Sequence, residues 1–318
     1  MTERSSSPFQ TLPAQFLSEG SNLTTATVIA FTEGPAVDAD GSVYFSDIWN
    51  CRIMKLASDG SQSVFRADSG RTNGNTFDQQ GRLLSCEGAE MGPEGRRRLV
   101  RTDLKTREVT VLTERYEDAR YNSPNDVVVD GRGRIYFTDP CYGDRSLMEM
   151  GVEGVYRVDP NGSVMRILQQ PDIQRPNGIA ITPDDQTLYL VDSNPNVGGN
   201  RKIWSFDLAA NGSVSNQRLV YDFAPGRGGD GMRVDVEGNL WIAAGINRAR
   251  GKGETTENPA GVYVVSPAGK LLGCISVPED LTTNLAFGGP DKKTLYVTAG
   301  KSLFKLQTNV SGWSVYPK

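Results

Sequence analysis

Histidine is absent from all 318 residues of this chain. That excludes Ser-His-Asp and Cys-His catalysis, HExxH zinc sites and any imidazole proton shuttle. Cysteine is scarce: Cys51, Cys86, Cys141 and Cys274 stand far apart and form no CxxC. Neither a zinc site nor a disulfide framework is indicated, and free, mostly buried thiols are expected. No apolar run approaches the ~20 residues that cross a bilayer as a helix. The N-terminus, MTERSSSPFQTLP, carries no apolar signal core. A cytoplasmic location is therefore expected, or a periplasmic or secreted one if a signal peptide has been removed. No basic block is longer than Arg96-Arg97-Arg98, and the formal charge is −4, which argues against a nucleic-acid surface. Those three arginines read as a solvated turn. Whatever chemistry the chain performs must run on carboxylates, amides, hydroxyls, Lys or Arg.

What the chain does contain is punctuation. Its 35 glycines and 17 prolines are spread along the whole length, as suits many short strands joined by tight turns. The punctuation is periodic. FTEGPAVDADGSVYFSD begins at Phe31, RTNGNTFDQQGRLLSCE at Arg71 and SPNDVVVDGRGRIYFTD at Ser123. RPNGIAITPDDQTLYLVD begins at Arg175, GGDGMRVDVEGNLWIAA at Gly228 and TTNLAFGGPDKKTLYVTA at Thr282. Each copy is a polar head, a short apolar run, an Asp/Gly-rich turn and an alternating strand. The heads are Glu33, Asn73, Asn125, Asn177, Asp230 and Asn284, separated by 40, 52, 52, 53 and 54 residues.

Further strand-like runs follow each copy, RIMKLA and SVFRA after the first and GVYRVD and VMRIL after the third. Roughly four short strands per repeat is the size of a β-propeller blade. The expectation is an all-β, six-bladed β-propeller with four-stranded antiparallel blades and few helices. Two stacked β-sandwiches are the alternative, which six matches at near-constant spacing disfavour. We expect one domain over residues 1–318, with 1–25 an N-terminal extension and 26–318 the blades. The run Thr27–Phe31 would supply the outer strand of the last blade and hide its edge.

Innermost propeller strands line the central channel, so the six heads should converge on one mouth as a ring. The ring holds two carboxylates, Glu33 and Asp230, and four amides. Two acids facing across a channel either raise a pKa or recruit a cation. Oxygen ligands alone select a hard divalent ion, Ca²⁺ before Mg²⁺, Mn²⁺ or Zn²⁺. The competing view is that these groups merely hydrate a pore. Asp126, next to Asn125, should point the other way along an alternating strand and serve blade packing or a turn hydrogen bond.

Particular motifs carry a family resemblance: Glu33-Gly34-Pro35, the NSPND of residues 122–126, the FTDP of 137–140, Pro176-Asn177-Gly178 and Asp230-Gly231-Met232. Together they resemble the SMP-30/gluconolactonase family over roughly residues 30–300, and FTDPCYG is most similar to its bacterial gluconolactonases. The resemblance implies a six-bladed propeller that binds one divalent cation and hydrolyses lactones or related esters. It implies metal ligands at Glu33, Asn177 and Asp230, commonly with Asn125 as the fourth. Two features depart from the pattern. Ser123 stands where some animal members have an Arg, and no histidine serves the last blade, which Asn284 heads.

The expected reaction is opening of a lactone by a cation that polarises the carbonyl, with Asp230 activating water and Glu33 beside it in the catalytic pair. A variant has Asp230 attack directly. Asn73, Asp139 and Tyr142 are expected to line the substrate site, although Asp139 reads nearly as well as a cap of the loop before Pro140. Leu147–Met150 reads as a lid, or as ordinary packing, and the polar stretch 245–258 as a loop near the mouth. Hydrolysis of phosphotriesters at the same metal, and a non-catalytic ligand-binding propeller, are the two alternatives. The expected partner is a small lactone or ester, with neither nucleic acid nor membrane.

Overall fold

The structure is a computed structural model that describes residues 12–89, 95–251 and 253–317. Within them lie six four-stranded antiparallel sheets, five of them up-and-down meanders and the sixth completed by a strand from the N-terminal side. The innermost strands are Thr32–Val37, Thr72–Phe77, Val127–Val129, Pro176–Ile181, Gly229–Val234 and Thr282–Gly288. Each packs on the next and the last packs on the first, which closes a six-bladed propeller. Two short 3₁₀ turns, Ala14–Phe16 and Arg145–Leu147, are the only helices among the described residues. None is long and apolar enough to cross a membrane.

The hairpins follow from the Asp/Gly-rich turns. In blade three Asp130 Oδ1 accepts from the amides of Arg132 and Arg134, both at 2.9 Å, and Gly133 N donates to the Asp130 carbonyl at 3.0 Å. Gly133 has φ +80°, a conformation that glycine adopts without strain.

Strand periodicity then builds the core. In the second strand of blade five, Leu240, Ile242 and Ala244 pack towards blade four, and Trp241 and Ala243 towards blade six. Both faces are apolar because both are covered. Six such clusters fill the six clefts between neighbouring blades. Burial declines outwards: in blade one the two inner strands are fully buried and the outer strand, Gln62–Ala67, is largely exposed.

Closure uses the N-terminal strand as expected, but three residues earlier. Thr24–Val28 pairs with Ser302–Gln307, Val28 opposite Ser302, and completes blade six. The last blade strand ends at Gln307, and residues 308–317 do not add to a blade. They run across the mouth of the channel opposite the polar heads. Trp313 N donates to the Val234 carbonyl at 2.8 Å, and the Tyr316 ring lies 5.4 Å from that of Phe77.

Candidate functional site

The polar heads sit at breaks in their strands. Pairing register slips between Glu33 and Ala36, Thr72 and Asn75, Pro176 and Ile179, and Gly229 and Met232. A bulge at the head of an inner strand re-aims one side chain into the channel. The glycine that follows four of the heads has a steric reason. A Cβ on Gly34, at φ +46°, would lie 2.4 Å from the Asn73 carbonyl oxygen, and one on Gly178 would lie 2.3 Å from that of Asp230. Neighbouring inner strands approach too closely here for any side chain.

Five of the six heads line one cavity of about 320 Å³: Glu33, Asn73, Asn125, Asn177 and Asp230. Asn284 lies beside it, close enough for its amide to oppose the rise in the Glu33 pKa described next. Burial, and next the charge of Asp230, push the Glu33 carboxyl well above its ordinary range. Burial also raises Asp230, and Arg227 beside it, with Nη2 at 2.7 Å from Oδ2, opposes that rise. Two buried carboxylates in one another's field are unfavourable without a counter-charge.

The donor set fits a hard cation. No group of three or more His, Cys, Asp or Glu is gathered among the described residues, so amide oxygens must complete any shell. They are poised to do so. Asn73 Oδ1 is buried with no hydrogen-bond partner. The Asn177 Nδ2 group donates to Tyr142 Oη at 3.0 Å, which turns the amide nitrogen to that side and leaves its oxygen for another partner. Tyr142 lines the cavity and donates to the Ser193 carbonyl at 3.0 Å.

Asp139 is placed differently from expectation. It is fully buried behind the cavity rather than on its wall, and accepts from Ser123 N at 2.7 Å and Asn122 N at 2.8 Å. Burial pushes its carboxyl up to about 7 against these two donors. The clamp recurs. Asp192 accepts from Arg175 N at 2.7 Å, and Asp47 from Phe31 N at 3.3 Å. In each blade the clamped amide lies two residues before the head, so the acid that ends the second strand positions Glu33, Asn125 or Asn177. The aligned endings FSD, FTD and LVD carried that signal.

Asp126 also departs from the alternation argument. Asn125 N donates to the Thr138 carbonyl at 2.8 Å and Thr138 N to the Asp126 carbonyl at 3.0 Å, so two residues oppose one and this bulge breaks period two at Asp126. Its carboxylate turns into the channel, reaches Arg233 of blade five at 3.2 Å, and adds to the field that raises Glu33. The run Arg96–Arg98 is an ion-pairing cluster and not a solvated turn: Arg98 meets the buried Glu87 at 2.7 Å, and Arg66 meets it at 2.8 Å. Leu147, Met148 and Glu149 line a second cavity, with Ser123 and Arg97, and not the mouth of the first.

Sequence reasoning missed the upper wall of the main cavity. Arg201, Arg227, Arg250 and Glu254 line it with Phe31 and Leu281. Arg250 and Glu254 come from the 245–258 loop, which does reach the mouth. Arg227, Arg250 and Glu254 lie outside the aligned copies, and Arg201 shares its place at the start of a third strand with Arg52 and Arg98, which pair with acids instead of lining this cavity.

Known proteins are similar to this chain in fold and in sequence. A family model described as "SMP-30/Gluconolactonase/LRE-like region" matches residues 31–301. A gluconolactonase of Zymomonas mobilis is 30% identical over 309 residues, covering 90% of this chain and 81% of that one. Regucalcin of Xenopus laevis is 31% identical over 194 residues, a match that spans 60% of this chain and 59% of the frog protein. A solved gluconolactonase from Xanthomonas campestris superposes with a TM-score of 0.79 at 31% identity, with 95% of each chain covered. A calcium-binding regucalcin structure from Agrobacterium tumefaciens shares the fold at TM-score 0.71 and 24% identity, with 91% of this chain and 94% of that one covered.

Proposed function

The chain belongs to the SMP-30/gluconolactonase/LRE-like family, and from that premise we propose that it is a lactonase dependent on a divalent cation. The observation that carries the reading is the pair Glu33 and Asp230, buried together in an oxygen-lined cavity with raised carboxyl pKa values. Glu33, Asn125, Asn177 and Asp230 would hold the cation. Ca²⁺ is the first choice for such ligands, and Mg²⁺, Mn²⁺ and Zn²⁺ are also accepted by oxygen donors. When bound, the cation supplies Lewis-acid polarisation of the lactone carbonyl.

The chain's own groups do the rest. Asp230 takes the proton of the attacking water, and Arg227 fixes one of its oxygens by the 2.7 Å ion pair. Asn73 offers its unpartnered carbonyl oxygen to a substrate hydroxyl. Asn177 and Tyr142 hold one another, so the oxygen of Asn177 keeps a single orientation. Phe31, Ile48 and Leu281 give the cavity an apolar side that reduces access of bulk water.

A panel of aldonolactones, aromatic lactones and paraoxon-like triesters, assayed with added Ca²⁺ and with chelator, tests this reading. Lactones should be opened in the presence of the cation, and triesters at least 100-fold more slowly. Preferential triester turnover, or tight cation binding without turnover of any ester, would replace it with one of the alternatives. Transfer of ¹⁸O from labelled water into Asp230 in a single turnover would mark that residue as nucleophile rather than base.

A further inference from the structure

The charges around the cavity do not match a neutral substrate. Three arginines line it, Arg201, Arg227 and Arg250, against three carboxylates, Glu33, Asp230 and Glu254. The two sets balance, so a divalent cation bound between Glu33 and Asp230 would leave two positive charges in excess. Arg250 is satisfied by Glu254 at 2.8 Å and Arg227 by Asp230 at 2.7 Å.

Arg201 has no such partner. It begins the third strand of blade four, Arg201–Leu208, and is only 5% exposed. Its Nη2 donates to two backbone carbonyls, Pro195 at 3.1 Å and Gly253 at 3.0 Å. Its Nη1 is buried and has no hydrogen-bond partner. Desolvation, and next the charge of Arg227, lower its pKa, and the Glu254 carboxylate, which is ion-paired to Arg250, opposes this only in part. A buried guanidinium beside a second one calls for an anion. The fork of an arginine matches the oxygens of a carboxylate or a phosphate.

Resting on the lactonase reading, we propose that the lactone opened by this protein carries an anionic group, a carboxylate or a phosphate, seated against Arg201 and Arg227. The anion restores charge balance in the cation-loaded pocket that Arg201 and Arg227 line. It also fixes the ring carbonyl at a set distance from the arginines.

The test compares kcat/KM of the Ca²⁺-loaded full chain on two pairs of lactones matched in ring size. D-glucono-1,5-lactone is neutral and its 6-phosphate carries a phosphate; D-glucono-1,4-lactone is neutral and D-glucaro-1,4-lactone carries a carboxylate. At least one charged lactone should be preferred tenfold or more, and which one distinguishes phosphate from carboxylate. Arg201→Met, which keeps the length of the stem, should collapse that ratio tenfold, chiefly through KM. Equal rates on neutral and charged lactones overturn the proposal. So does an Arg201→Met variant that loses both in equal measure, since that is the signature of a loop clamp. Calorimetric binding of D-gluconate 6-phosphate against D-gluconate needs neither turnover nor a variant. Tenfold tighter binding of the phosphate supports the anion site even if lactones are not opened, and equal affinities of the two refute a phosphate seat.

Discussion

Replacing Asp139 by alanine separates the clamp from the site it serves. The carboxylate accepts two backbone amides, Ser123 N at 2.7 Å and Asn122 N at 2.8 Å, with no exposure to water. Truncation leaves both N–H groups buried and unpaired, at about 1–3 kcal/mol each. Part of that loss is offset because burial of the acid is itself unfavourable, as its pKa of about 7 records. The net expectation is a loss of about 2–4 kcal/mol of stability, read as a lower urea midpoint by circular dichroism. Asn125 follows the clamped amides by two residues, so Ca²⁺ affinity should fall at least tenfold in calorimetry. Asp192→Ala, which releases Gln174 N and Arg175 N ahead of Asn177, should behave alike. A change in stability of less than about 0.5 kcal/mol, the range of ordinary surface substitutions, would refute the clamp. So would lost stability with cation affinity intact.

Glu33→Gln removes a buried charge from the field of Asp230 and Asp126. It should raise the melting temperature of the cation-free protein and abolish the further rise on adding Ca²⁺; a lower melting temperature without cation would contradict the electrostatics. Because the Glu33 carboxyl is raised on folding, its contribution to stability is present at low pH and lost as pH climbs through its folded value. The cation-free protein should therefore lose stability with rising pH over that range, and cation binding should release protons. Calorimetry in buffers of different ionisation enthalpy reads that release, and heats independent of buffer would count against it. Tyr142→Phe removes the acceptor of Asn177 Nδ2 and should weaken Ca²⁺ binding three- to tenfold, roughly the 1 kcal/mol of one neutral hydrogen bond. Unchanged binding would show that Tyr142 does not orient Asn177.

The propeller and most of its ring were legible because one physical unit recurs. A head residue, an Asp-initiated turn with a glycine at φ near +80°, and an alternating strand are local features, and their spacing carries the topology. Convergence of Glu33, Asn125, Asn177 and Asp230 then follows from closure of the ring of inner strands. Asp126 was misplaced because alternation was carried across a bulge in which Asn125 and Asp126 both oppose Thr138. Asp139 was placed on the wall because an acid near a mouth suggests substrate, whereas its two backbone donors make it a positioning residue. Arg227 and Arg250 were invisible because each belongs to one blade's loops, and Arg201 because Arg52 and Arg98 at the same strand position meet acids rather than the cavity. The C-terminal cover of the far mouth likewise depends on long-range contacts, Trp313 with Val234 and Tyr316 with Phe77, that no periodicity encodes.

The most direct test of the central claim is the initial rate of glucono-lactone and phosphogluconolactone opening by chelator-stripped protein as Ca²⁺ is titrated in. The account predicts no ring opening above background without cation, saturable recovery with one cation per chain, and no recovery in Glu33→Gln. Full activity in excess chelator, or full recovery in Glu33→Gln, would contradict it.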